Sequence, residues 1–168
     1  SNYKQFTINY SSTIETNSAF TISTNGGKLI KGQSATVNVD VLNTGSSIFT
    51  GSFRVNLSNL DGTFAQNIQV LNATGGLLPN YHYIGGNNFI GTITVEPGTY
   101  LLEVAYQAQG SSSWYYAGSS SYSNPIYVIV EAPSIQPDIY ESNNTTATAY
   151  TLPITFSGNN AVKNTAGS

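Results

Sequence analysis

The groups in this chain suited to proton transfer near neutral pH are one histidine, His82, and eight carboxylates: Glu15, Asp40, Asp61, Glu96, Glu103, Glu131, Asp138 and Glu141. A Ser–His–carboxylate triad needs only one histidine. No Gly-x-Ser-x-Gly elbow accompanies it, however, and no serine is set apart from the others. His82 lies in "LLPNYHYIGG" between Tyr81 and Tyr83 and beside a Gly-Gly pair. A loop or strand-edge histidine is favoured there over a catalytic base. Glycoside hydrolysis needs two carboxylates about 5 to 10 Å apart. Asp40 and Glu103 both read as mid-strand and outward-facing, so they are the pair that could share a groove. Asp61 and Glu96 sit in turn sequences, where local hydrogen bonding accounts for them. With no cysteine there is no thiol nucleophile and no zinc-thiolate site. The pairs Gly26-Gly27, Gly75-Gly76 and Gly85-Gly86 read as turns, not as a phosphate cradle. No enzyme is expected.

Two stretches could bind rather than react. "SSSWYYAGSSSYSNP" places Trp114, Tyr115 and Tyr116 after a serine-rich turn, with Tyr122 nearby. Exposed rings beside Asn and Ser suit a carbohydrate, because rings stack on sugar faces while amides bond hydroxyls. The competing expectation is that Trp114 and Tyr116 alternate inward and plug the end of the fold, with Tyr115 outside. In "DIYESNN", Asp138, Glu141, Asn143 and Asn144 offer hard oxygen ligands at short spacing. Calcium is the cofactor such ligands would suit, and a turn capping a strand start is the alternative.

Composition narrows the class. The chain has 168 residues, of which 8% are charged, against roughly 25% in an average soluble domain. Its five basic residues, Lys4, Lys28, Lys31, Arg54 and Lys163, are scattered singly and the net charge is −3. Nucleic-acid binding draws on a clustered basic stripe, so that partner is excluded. No stretch is apolar and long enough to be read as a membrane span. With no methionine, the start is expected to be internal to a longer protein. Few charges, abundant Ser, Thr and Asn and 12 tyrosines fit a bacterial secreted or cell-surface protein.

The elements that must position these residues are strands, since the apolar residues recur with period two. Val37, Val39 and Val41 share a face, as do Phe53, Val55 and Leu57. Leu102 and Val104, with Tyr100 and Tyr106, do the same, and so do Ile126, Val128 and Val130. Phe64, Ile68 and Val70 are expected to continue the pattern beyond an Asp61-Gly62 hairpin turn. Weaker strands are expected at Ala19 to Ser23 and at Phe6 to Tyr10, and no helical period is sustained. The fold expected is an all-β, immunoglobulin-like antiparallel β-sandwich with an extended C-terminal tail. In "EPGTY", Tyr100 has the spacing of a tyrosine corner, whose hydroxyl bonds back to the chain in the preceding turn.

The phrases "KGQSATVNVD", "VLNTGSSIFTGSF" and "PGTYLLEVAYQ" resemble bacterial Ig-like modules appended to secreted hydrolases and adhesins. "DIYESNNTTATAYTL" resembles the opening of bacterial pre-peptidase C-terminal domains, through Asp138, Tyr140, Glu141, Asn143, Asn144, Ala149 and Leu152; Ser142 stands where proline is usual. Together these resemblances divide the chain into a lead-in (1 to 18), an Ig-like sandwich (19 to 130), a proline-containing linker (131 to 137) and the partial start of a second module (138 to 168). They imply a non-catalytic accessory or spacer module of a larger secreted protein, a peptidase or other hydrolase, whose partners are the other domains of that protein. The alternative is a module binding extracellular glycan or protein through the Trp114 cluster. The second resemblance also implies calcium at Asp138, Glu141, Asn143 and Asn144. The strand containing Leu152, Ile154 and Phe156 is expected to pair with a sandwich edge or with another copy.

Overall fold

The structure is a computed structural model that describes residues 14–83, 88–119 and 121–134, with the backbone of 154–157 and 160–163. The strand expected at Phe6 to Tyr10 and the four candidate calcium ligands lie outside the described residues. Every described element is a strand. In chain order they are β1 (Ile14–Thr16), β2 (Thr21–Ile22), β3 (Leu29–Ile30), β4 (Ser34–Asn38), β5 (Val41–Asn43), β6 (Phe49–Ser58) and β7 (Phe64–Leu77). After these come β8 (Asn88–Thr92), β9 (Gly98–Ala108), β10 (Tyr115–Tyr116), β11 (Gly118–Ser119), β12 (Ile126–Glu131), β13 (Ile154–Ser157) and β14 (Asn160–Lys163).

Two units divide the chain, Ser1–Pro133 and Ser134–Ser168. In the first, a six-stranded sheet runs β3-β12-β9-β6-β7, with β10 beside β9. Its pairings are antiparallel except β3 with β12. The facing sheet contains β2-β4-β8 and β11-β1-β5. Asn17 N–H to Asp40 O (2.9 Å) continues the β1–β5 ladder and Ser23 N–H to Thr36 O (3.0 Å) continues the β2–β4 ladder. The chain passes from β4 directly into β5 through Val39 and Asp40. The short β3 and β11 each sit in the sheet opposite to both their chain neighbours. Among the longer strands the chain changes sheet between β5 and β6, between β7 and β8, and again between β8 and β9. That Greek-key path is the immunoglobulin-like sandwich. Ile14 and Thr16 are buried in the facing sheet, so its first strand begins ahead of residue 19.

Alternation explains the core. Val37, Val39, Val41, Phe53, Val55, Leu57, Leu102 and Val104 are all at most 2% exposed. On β7 the alternation fails: Phe64 and Val70 are exposed while Ile68 is buried. The β6–β7 register shifts between Val55 and Asn56 and between Leu57 and Ser58. Each such bulge inserts a residue and turns those beyond it to the opposite face. Gly75 and Gly76 lie inside β7 and not in a turn. At its far edge β7 curls onto β8 without a ladder. Gln66 Oε1 accepts from Thr94 N–H (2.8 Å) and Gln69 Oε1 accepts from Ile90 N–H (2.7 Å).

Tyr100 donates its hydroxyl to the Glu96 carbonyl at 2.9 Å, closing the corner that leads into β9. Its ring packs on the core while its hydroxyl bond lies near solvent. Tyr100→Phe is therefore expected to cost about 0.5 to 1.5 kcal/mol, the range of one net hydrogen bond. Urea denaturation would check it, and an unchanged midpoint would show that the bond holds nothing.

In the second unit β13 pairs with β14, Ile154 opposite Lys163 and Ser157 opposite Asn160. This strand, expected to pair with a sandwich edge or with another copy, has a neighbouring segment as one ladder partner.

Candidate functional site

Inward parity for Phe53, Val55 and Leu57 forces Ser52, Arg54, Asn56 and Ser58 onto the outer face of β6. The register sets them beside Gln107, Ala105, Glu103 and Leu101 of β9. On the other flank Asn72 lies opposite Ser52, Val70 opposite Arg54 and Phe64 opposite Ser58. Tyr127 and Ile129 of β12 continue the same face, at 76% and 66% exposure. The outer face thus combines apolar rings with a polar centre.

Glu103 corrects an expectation. Its parity is outward, as the alternation requires, yet it is only 2% exposed. Asn56 Nδ2 donates to its Oε1 at 2.5 Å, and Ser58 Oγ donates to the same oxygen. Two neutral donors thereby stabilise a buried acid. Arg54 stands beside this cluster between two rings. Its guanidinium carbon is 4.5 Å from the Trp114 ring centre and 5.2 Å from that of Phe64. Burial lowers the Arg54 pKa below its ordinary value, and the nearby Glu103 and Tyr116 partly oppose that. Desolvation, then Glu103, pushes the Tyr116 phenol upward, while Arg54 pulls it down. Arg54 Nε and Asn56 Oδ1 are buried without a hydrogen-bond partner.

The aromatics do not plug the end of the sandwich. Tyr115 and Tyr116 are both 54% exposed, and Trp114 is half-buried over Arg54. Strand β10 has only two residues, so the packing of individual rings decides their side. Tyr116 lies opposite Ala105 and Tyr115 opposite Tyr106, with the two tyrosine rings 5.9 Å apart. Tyr122 is held elsewhere: its carbonyl accepts from Thr16 Oγ1 (2.9 Å) and Ser119 Oγ (3.0 Å), at the β1–β11 junction.

Further along the outer face lies an open groove of about 280 Å³, lined by Ser52, Asn72, Thr74, Gln107, Gln109 and Ser111, with Gly51, Ala108 and Gly110. Ser52 Oγ donates to Asn72 Oδ1 at 2.7 Å. Every polar side chain in the lining is an amide or a hydroxyl, and none is charged.

The candidate acid–base residues do not converge. His82 Nδ1 lies 2.5 Å from Asp40 Oδ2, and Asn17 Nδ2 donates to the same oxygen at 3.2 Å. A backbone bridge also joins His82 to Leu42. These contacts fasten the 80–83 segment to the edge of β5. Among the described residues no serine or threonine hydroxyl bonds His82. Asp40 belongs to the facing sheet and Glu103 to the outer face of the six-stranded one, so the two acids share no groove. No three His, Cys, Asp or Glu side chains cluster as metal ligands among the described residues.

Sequence reasoning passed over Arg54, Asn56, Ser58 and Phe64. The available signal was the polar alternation of "GSFRVNLSNL", whose outward set is the centre of this site.

No protein-family model matches the chain. No curated protein matches it either. Among solved structures it is similar to the C-terminal domain of wzt, at 14% identity and a TM-score of 0.46, over 75% of this chain and 77% of that one.

Proposed function

We propose that this chain is a non-catalytic accessory module of a larger secreted bacterial protein, and that the outer face of its six-stranded sheet holds a glycan. One observation carries the reading: an uncharged amide-and-hydroxyl groove on the same sheet face as Trp114 and the exposed Tyr116. Sugar hydroxyls both donate and accept, as do the side chains of Asn72, Gln107 and Gln109. The less polar faces of sugar rings stack on aromatic rings. The separation of Asp40 from Glu103 supports a role without hydrolysis. The sparse charge and the resemblance to modules of secreted hydrolases support the secreted setting.

The test is retention of the chain on a polysaccharide array. The native chain is expected to be retained, and Trp114→Ala to weaken binding about 10- to 100-fold, the scale of an aromatic hot spot. The variant should keep its β-sheet circular dichroism, because Trp114 lies outside the sandwich core. A native chain that retains no polysaccharide would overturn the glycan reading and leave a spacer.

A further inference from the structure

The charges on this face point to the kind of glycan. Lys28 pairs with Glu131 at 3.0 Å and Lys31 with Glu96 at 2.5 Å. Among the described residues, Arg54 is therefore the one basic side chain without an ion pair. Glu103 acts on it through its charge but forms no ion pair with it, and Glu103 Oε1 accepts instead from Asn56 and Ser58. Arg54 Nε has no acceptor in the protein although it is buried. A guanidinium with unmet donors in a partly desolvated place is costly unless an acceptor arrives. The two rings that flank it, Trp114 and Phe64, hold its plane without consuming its N–H groups. Such a restrained planar fork matches the two oxygens of a carboxylate, or two oxygens of a sulfate or phosphate ester.

We propose that Arg54 is an anion-recognition residue and that the glycan held on this face is acidic, with an oxyanion substituent reaching Arg54 while its hydroxyls occupy the neutral groove. This inference rests on the glycan reading above. The buried Glu103 carboxylate opposes an incoming anion. It also sets a limit on affinity, because the anion must gain more from the free fork than it loses to that charge. The net charge of −3 opposes it less, since solvent-exposed charges beyond about 8 to 10 Å are largely screened at physiological salt.

The experiment uses the full chain and two matched pairs of polymers in affinity electrophoresis: polygalacturonate against the same polymer after carboxyl reduction, and dextran sulfate against dextran. The expected result is binding of at least one charged member about tenfold tighter than its neutral partner, weakening as salt rises. Which pair shows the difference identifies carboxylate or sulfate as the source. Arg54→Gln should erase that difference, so that charged and neutral members of the pair bind alike whatever the neutral affinity becomes. Arg54→Lys, which keeps the charge but loses the fork, should restore only part of it. The comparison within each pair needs no mutation, so a variant that folds poorly does not block the test. Equal binding of charged and neutral members by the native chain would overturn the acidic assignment while the glycan reading stands. Binding of none of the four polymers by the native chain would remove both.

Discussion

Replacing Phe53 with alanine is expected to destabilise the sandwich by about 3 to 5 kcal/mol, the cost of deleting a buried phenylalanine ring. Phe53 is fully buried on β6, between β7 and β9. Its ring centre is 5.0 Å from that of Phe49 and 4.6 Å from that of Tyr83. Phe49 in turn meets Tyr106 edge-on at 5.7 Å. The substitution removes one ring from this chain of contacts and leaves a cavity in the middle strand, where the backbone is paired on both sides and cannot collapse to fill it. A domain of this kind has about 5 to 15 kcal/mol in total, so the variant would lose much of its stability. Urea denaturation should show a lower midpoint with an unchanged slope. Ile129→Ala is the control, because Ile129 is 66% exposed and its loss should change stability by less than about 0.5 kcal/mol. A Phe53 variant that loses under about 1 kcal/mol would show that the core has been misassigned.

That core was legible because its strands are long enough for alternation to repeat. Val37, Val39 and Val41 announce one inner face, and Phe53, Val55 and Leu57 the other. Legibility ends where pairing departs from a simple ladder. The misread parity on β7 comes from the β6–β7 pairing. Phe64 and Val70 lie opposite the outward Ser58 and Arg54, while Ile68, the extra residue of a bulge, is buried. A single strand's sequence does not display its partner's register. Ile14 to Thr16 make too short a run to show a period. The site was less legible still. Glu103 has the outward parity its sequence implies, and its burial depends on side chains of other segments that cover that face. Arg54 looked like one scattered cation, because Phe64 and Trp114 come to it only through the tertiary fold. The Trp114 stretch announced its chemistry in its composition, but a two-residue strand carries no information about which way its rings face.

Gly91→Ala is expected to cost about 3 kcal/mol, at the upper end for overpacking, because the contact it violates is backbone against backbone. A Cβ at Gly91 would lie 2.1 Å from the Ile68 carbonyl oxygen and 3.0 Å from its carbon. Such a clash between flexible side chains can relax by rotation, but this one cannot. On one side Gly91 is held in register opposite Ala35 by the β4–β8 ladder. On the other side, Ile68 is the extra residue in the β6–β7 pairing, flanked by the Gln66 and Gln69 side chains that bind β8. Relief therefore requires β7 to move away from β8, which breaks those side-chain bonds and opens the curl between the sheets. Gly75→Ala is the matched control on β7, since a Cβ there meets nothing within 4 Å. Its stability should change by no more than about 1 kcal/mol, in the stabilising direction if the unfolded chain loses freedom. Melting curves followed by circular dichroism would compare the two, and coincident curves would show that β7 and β8 are not in contact. The consequence reaches the site, because Asn72 and Thr74 of the neutral groove lie on the same strand as Ile68. Opening the curl should displace them, so the Gly91 variant should lose glycan retention at temperatures where it remains folded. Retention at native strength, with stability reduced, would show that the groove does not depend on the curl.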